Sequence, residues 1–347
     1  MSELQISLLI IGIAGVVAVY GYNGWQQRQY RRKFGTLFKQ RPQETNQTPA
    51  TPQASVFAAD KAPDEIPPSA ADDNCMLLDA ATDYIAMLTV KRPVSADALA
   101  RLYKQRFDFG KNMYVCGLNA ANGEWEKVIA EGRYSYSQFK LALQLVNRAG
   151  PISEGRLSDF RDLVRLIAAP LHAEVVLPDV AQAAACAQQL DKFCAEVDQM
   201  IGLNIFAAAG QKFSAREVQQ VAEQHAMQLQ ADGAFHLVNE HANSLFKLGN
   251  IDNTPFQYPT LQAQWLEGVT LVLDLPHAAQ PVQRFDQMTA LAQSLSSDLE
   301  GIVTDDRRAT LNPHSIALIR EQIAAIEARM AAQGLVPGSA LARRLFS

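Results

Sequence analysis

Catalytic signatures are missing from this 347-residue chain. It contains no GxGxxG, no GxxxxGK[ST] phosphate loop, no GxSxG elbow and no HExxH zinc helix. Cysteine is scarce: Cys75, Cys116, Cys186 and Cys194 show no CxxC spacing, which gives neither a metal knuckle nor a disulfide framework. They are expected as buried thiols, with Cys186 and Cys194 eight apart in an apparent helix and placed to share a face. His225, His236 and His241 lie close in sequence, but a helix end and two strand positions of opposite parity do not converge on a metal. No metal or other cofactor is expected. Positive charge is not in excess either: 31 Lys and Arg face 36 Asp and Glu, a net charge of −5. Nucleic-acid binding needs a basic face, and the neighbouring aromatics that stack bases on an RRM-type sheet are absent, so no nucleic-acid partner is expected.

The charge that is present is unevenly placed. Residues 1–41 carry Arg28, Arg31, Arg32, Lys33, Lys39 and Arg41 against Glu3 alone, a balance of +5. Residues 42–73 carry Lys61 against six acids, a balance of −5. Leu4 to Tyr22 is uncharged, and as a helix it covers roughly 28 Å, close to the roughly 30 Å hydrocarbon core of a bilayer. Tyr20, Tyr22 and Trp25 stand at its end, where aromatic rings favour the interface. The cations all follow the span, so the positive-inside rule places the N-terminus outside and the rest in the cytoplasm. A cleaved signal peptide has the opposite order. The expectation is a single-pass anchor (residues 1–27, with 4–22 in the bilayer) and a basic juxtamembrane segment (28–41). Residues 42–73 hold six prolines and no apolar periodicity, which reads as a disordered tether. As a flexible coil it spans roughly 30 Å root-mean-square.

The remaining chain alternates strand and helix patterns, twice in the same order. A strand near Tyr84–Val90 precedes a helix capped by Ser95, and a strand near Met200–Ala207 precedes one capped by Ser214. Runs from Leu141 and Val269 each set Leu at alternate positions, and each is followed by a helix holding Phe160 or Phe285, a short strand (Glu174–Leu177, Ile302–Val303) and a last helix. This predicts two diverged copies of one unit, 74–198 and 199–333, followed by a tail, 334–347. The fold class is α+β. Each unit is a split β-α-β arrangement with a mainly antiparallel sheet and helices on one face. The tail is expected to fray, a short amphipathic turn of Ser339–Phe346 at the membrane being the other reading.

Parity then identifies the other sheet face. Val269, Leu271, Leu273 and Leu275 point to the helices, leaving Thr270, Val272 and Asp274 outward. Phe246 and Leu248 face in, leaving Lys247, Gly249 and Ile251 outward; Ile201, Leu203 and Ile205 face in, leaving Met200, Gly202, Asn204 and Phe206 outward. A sheet face that meets only water is polar. Apolar groups around glycine depressions describe instead a shallow groove for an apolar peptide, or a surface covered by the first unit.

The second unit resembles the C-terminal domain of the ZipA family of membrane-tethered bacterial cell-division proteins. The stretches that carry the resemblance are Leu203–Ser214, Gly233–His241, Leu245–Ile251, Glu267–Pro276 and Ile302–Pro313. It covers residues 199–332, and the order of anchor, basic collar, Pro/Gln-rich linker and C-terminal domain also matches. The resemblance implies a six-stranded antiparallel sheet with three helices, whose open face binds the C-terminal peptide of the tubulin-like protein FtsZ. Carried over by motif, the peptide-binding positions are Met200, Gly202, Phe235, Gly249, Ile251, Thr270 and Val272, with Arg308 beside the groove. Gly202, Gly249 and Val272 are smaller than the usual lining, and Asn253 replaces a basic rim residue. The first unit lacks a counterpart of the Asp305–Arg308 turn, because Leu177-Pro178-Asp179 runs straight into a helix. It is not expected to bind the same peptide. The implied function is an inner-membrane adaptor that tethers FtsZ filaments and catalyses nothing. Two other readings stand beside it: a scaffold for a different division or envelope protein, and an enzyme with a cleft between the units.

Overall fold

A computed structural model describes residues 75, 78–130, 132–240, 242–257, 261, 263–305 and 308–347. The expected span, basic segment and tether lie outside the described residues. Among the described residues, no helix is long and apolar enough to cross a membrane.

Leucine and aromatic residues at alternate positions build the first sheet. Its strands are β1 (Asp83–Ser95), β2 (Met113–Asn119), β3 (Trp125–Lys127) and β4 (Ser135–Gln144). A 3-10 turn (Ala96–Leu99) and α1 (Ala100–Lys104) follow β1. The small hairpin β5 (Val146–Asn147) and β6 (Gly150–Pro151) leads to α2 (Glu154–Ala168), β7 (Glu174–Val176) and α3 (Val180–Val197). The five-stranded sheet has the order β3-β2-β4-β1-β7 and every pairing is antiparallel. Tyr84, Leu88, Phe139 and Leu141 on its core face are buried beneath α2, where the Phe160 ring meets Tyr84 edge-on at 6.0 Å.

Only Asp198 and Gln199 separate α3 from the second unit, which begins with β8 (Met200–Ala207), β9 (Phe213–Ser214) and α4 (Ala215–Gln224). It continues through β10 (Met227–Leu229), β11 (Phe235–Val238), β12 (Ser244–Asn250), β13 (Trp265–Leu266) and β14 (Gly268–Asp274). After the 3-10 turn Leu275–His277 come α5 (Pro281–Asp298), β15 (Gly301–Thr304), α6 (Pro313–Ala332) and α7 (Ala340–Leu345). Six antiparallel strands are ordered β10-β11-β12-β14-β8-β15. The α+β class with antiparallel sheets is therefore observed. In both units the first strand lies centrally, between the strand that precedes the long helix and the short strand that follows it: β4-β1-β7 and β14-β8-β15. The left wings differ, since β2 lies inside β3 whereas β12, β11 and β10 run outward as a meander.

Three expectations need correction. Cys75 and Cys116, 41 residues apart, are joined in a disulfide rather than standing as separate buried thiols. Of the two free cysteines, Cys186 is exposed and Cys194 is buried, and burial pushes the Cys194 thiol up to about 12. The tail does not fray. Ser339 caps α7 by accepting from the Ala342 amide at 3.1 Å, and Leu345 and Phe346 are buried. Two caps also differ in detail. Ser95 donates to Asp97, and Ser214 makes no side-chain cap bond, whereas Asp179 and Asn312 cap α3 and α6 as N-cap residues do.

Side chains also join the units beyond the α3–β8 connection, among them Arg329 of α6 paired with Glu196 of α3. Arg148, just after β5, donates to Asp198 and to Asp274, each at 2.8 Å. Arg344 of α7 reaches back to Asp83 in β1.

Candidate peptide-binding face

Strand register fixes which side chains share the outer face of the second sheet. One row runs His236, Lys247, Val272, Gly202 across β11, β12, β14 and β8. The next runs Gly249, Thr270, Asn204, Thr304 across β12, β14, β8 and β15, and a third joins Gly268, Phe206 and Ile302. The opposite parity carries Leu203, Ile205, Leu248, Val269, Leu271 and Leu273, all essentially without solvent exposure under α5. The alternation read from sequence is therefore the alternation of the sheet.

The outer face is accessible in part among the described residues. Asn204 and Thr304 on it are buried, and the Asn204 side-chain amide donates to the Asp305 carbonyl at 3.3 Å. Gly202, Phe206, Gly249, Ile251, Thr270 and Val272 are half-buried, and Ile302 at the β15 edge is 49% exposed. A Cβ placed on Gly249 would meet nothing within 4 Å, so the glycine marks an open depression in the surface. The expected alternative, in which the first unit covers this face, holds only at one end. There Met200, paired with Asp274, is 8% exposed, and Arg148 docks on the Asp274 carboxylate. Burial works against the Asp274 charge, but the His277 hydrogen bond and charge, together with Arg148, outweigh it and hold the carboxyl below its ordinary value.

Arg308 lies beside the groove. The chain reverses between Thr304 and Thr310, which form a bridge, and the Arg308 amide donates to the Asp305 carbonyl at 3.0 Å. Arg308 takes a positive φ of 62° there. Its guanidinium stands 4.7 Å from the centre of the Phe206 ring, within cation–π range. A cation thus sits over a half-buried aromatic ring, which is suited to an apolar peptide that also carries acidic groups.

One expected groove residue is elsewhere. Phe235 pairs in register with Leu248, is fully buried, and packs against Phe256 with ring centres 5.1 Å apart. It belongs to the core. Its neighbour His236 faces the groove side instead, held by Asp232 at 3.0 Å and Ser244 at 2.8 Å. Lys247 also approaches Asp232, at 3.4 Å. Burial raises the Asp232 carboxyl, but the neighbouring His236 and Lys247 and the Ala234 amide outweigh this and lower it. Phe206 and Ile302 were not among the expected binding positions. Phe206 was outward by parity, and the adjacency of Ile302 to it follows only from the β15–β8 pairing.

Residues 199–322 match the family described as ZipA, C-terminal FtsZ-binding domain. The match spans 124 of the 347 residues and lies wholly within the second unit, ending inside α6. The cell division protein ZipA of Pseudomonas fluorescens strain Pf0-1 is 33% identical over 99 residues, 28% of this chain and 31% of that protein. ZipA of Stutzerimonas stutzeri is 34% identical over 95 residues, 27% of this chain and 31% of that protein. ZipA of Ectopseudomonas mendocina is 25% identical over 149 residues, 42% and 55% of the two chains. The chain covers 31% of the length of the first two of these relatives. The matched residues contain the whole six-stranded sheet, from β8 through β15.

Proposed function

We propose that this protein is a membrane-anchored cell-division adaptor that binds the C-terminal peptide of FtsZ on the outer face of the second sheet. The observation that carries the reading is the accessible groove of Gly202, Gly249, Thr270 and Val272, flanked by Phe206, Ile302 and Arg308. Apolar peptide side chains fill the glycine depressions and Arg308 attracts peptide acids. Met200 and Ile251 bound the site at its ends. Phe235 supports it from below by packing rather than by contact.

In this reading residues 4–22 span the inner membrane once, with the N-terminus periplasmic and the body cytoplasmic. Residues 42–73 tether the body, and many such tethers on one filament raise the effective concentration at the bilayer. No covalent step is required of any residue. In a reducing cytoplasm Cys75 and Cys116 stand adjacent as thiols.

The test is a titration of the chain in nanodiscs against a fluorescent C-terminal FtsZ peptide from the same organism, followed by anisotropy. Saturable binding, competed by unlabelled peptide, is expected. No saturation at millimolar concentration overturns the reading.

A further inference from the structure

The first sheet also turns a face away from its helices. One register row on that face crosses all five strands: Lys127, Cys116, Lys140, Met87, Val176. Beside it, Leu118 and Trp125 pair in the next row, and the Lys140 ammonium lies 4.3 Å from the Trp125 ring centre. The Leu118–Trp125 row continues through Gln138, Thr89 and Glu174, so the surface mixes apolar groups with two cations on β3 and β4 and one acid at the β7 edge. It occupies the position in the first unit that the proposed peptide face occupies in the second.

Something is already fixed over its centre. Cys75 is bonded to Cys116, between the two lysines in the row. Cys116 and Ala142 are fully buried, although both belong to the outward parity. Ala142 lies toward the end where Arg344 of α7 packs on the same face, against Asp83, Tyr114 and Gln144. Away from Cys75 and α7 the cover ends: Met87, Leu118 and Trp125 are half-buried and Val176 is 63% exposed. The chain that precedes Cys75 thus begins over this face. It reads Asp64-Glu65-Ile66-Pro67-Pro68-Ser69-Ala70-Ala71-Asp72-Asp73-Asn74, with four acids and no base. Its charge complements Lys127 and Lys140, and Ile66 is apolar like Met87 and Val176. Its length suffices. From β2 to the β7 edge is three strand spacings, about 14 Å, whereas the nine steps from Cys75 back to Ile66 reach about 30 Å when extended.

We propose that the acidic segment 64–74 docks in cis on the outer face of the first sheet, with its carboxylates against Lys127 and Lys140. The first unit then carries its own ligand, and its face is closed to external peptides while that of the second unit stays open. The docking rests on this surface alone and does not depend on what the second unit binds.

Zero-length carbodiimide cross-linking of the full chain in nanodiscs tests it, with 14N- and 15N-labelled chains mixed before reconstitution. Intrachain links from Lys127 or Lys140 to Asp64 or Glu65 are expected, and they persist when Cys75→Ser and Cys116→Ser remove the disulfide. Links confined to Asp72 and Asp73 and lost in that double variant reduce the contact to a covalent tether and overturn the proposal. Links between differently labelled chains make the occupant a second copy, which also overturns it, as does the absence of links. Hydrogen exchange gives a second readout. Met87→Asp lies on the outward parity and leaves the core intact, and it should speed amide exchange in 64–74 by at least about tenfold; unchanged exchange contradicts docking.

Discussion

Arg344 and Asp83 are separated by 261 residues in sequence and by 2.7 Å in space. Their side chains are 6% and 0% exposed. Thr82 and the Tyr114 ring complete the surroundings of the guanidinium, and Gln144 donates to the Arg344 carbonyl at 2.9 Å. Burial pushes the Asp83 carboxyl up, partly offset by Arg344. Asp83 Oδ1 and two guanidinium nitrogens have no hydrogen-bond partner, so the pair is a costly way to hold α7 against β1. Removing one member strands the other in the interior. Arg344→Ala should lower the unfolding free energy by about 3–5 kcal/mol, read from the urea midpoint of the first unit. An unchanged midpoint would show that α7 contributes nothing to that unit.

Adjacent ladder positions on opposite parities give a second contrast. Val272 is on the outer face and Phe235 is fully buried. Val272→Asp should keep the thermal unfolding transition and abolish FtsZ-peptide binding. Phe235→Ala should cost about 3–5 kcal/mol of stability through the cavity it leaves. Unfolding by Val272→Asp would reverse the assignment of the two faces.

Acid should loosen the joint at Arg148. The lowered Asp274 carboxyl contributes stability that is complete above its ordinary value of 3.8 and is lost as pH falls through its lower folded value. Native-state proteolysis between the units should accelerate only below about pH 4. In Asp274→Asn the acceleration should already be present at neutral pH. Loosening of the wild type near pH 6 would point to a different group.

Thiol state reports the compartment. Rapid alkylation in cells should trap four free thiols in a cytoplasmic body. Air oxidation of the purified chain should leave two, Cys186 and Cys194, because Cys75 and Cys116 are within bonding distance. If only two are trapped in fresh cells, the body lies in an oxidising compartment and the proposed orientation is reversed.

The alternating faces were legible because a period-two pattern is local. Val269 to Asp274 declare their parity without knowledge of any partner strand. Phe235 was misplaced because its role came from a motif match in a four-residue strand that offers little alternation of its own. Its pairing with Leu248 decides the face. The tail and the disulfide were not legible for a different reason. Leu345 and Phe346 are apolar residues in a short amphipathic stretch, and their cover is supplied by strands some 200 residues away, as the Gln144–Arg344 bond shows. Cys75 and Cys116 meet only because β2 places Cys116 on the outward face. The docking of Arg148 on Asp274, the register partner of Met200, depends in the same way on a residue arriving from the other unit.

The α7 latch also sets how the molecule carries tension. In the proposed adaptor, the membrane holds the chain ahead of β1 and the filament pulls on the second sheet. Force entering at Asp83 meets a strand clamped between β4 and β7, whose hydrogen bonds are loaded together in shear rather than one at a time. The C-terminal helix ties that same residue to the opposite end of the chain, so part of the load bypasses the α3–β8 connection. The two units would then respond to traction as one body, and the first to yield would be the joint rather than the surface that grips the filament.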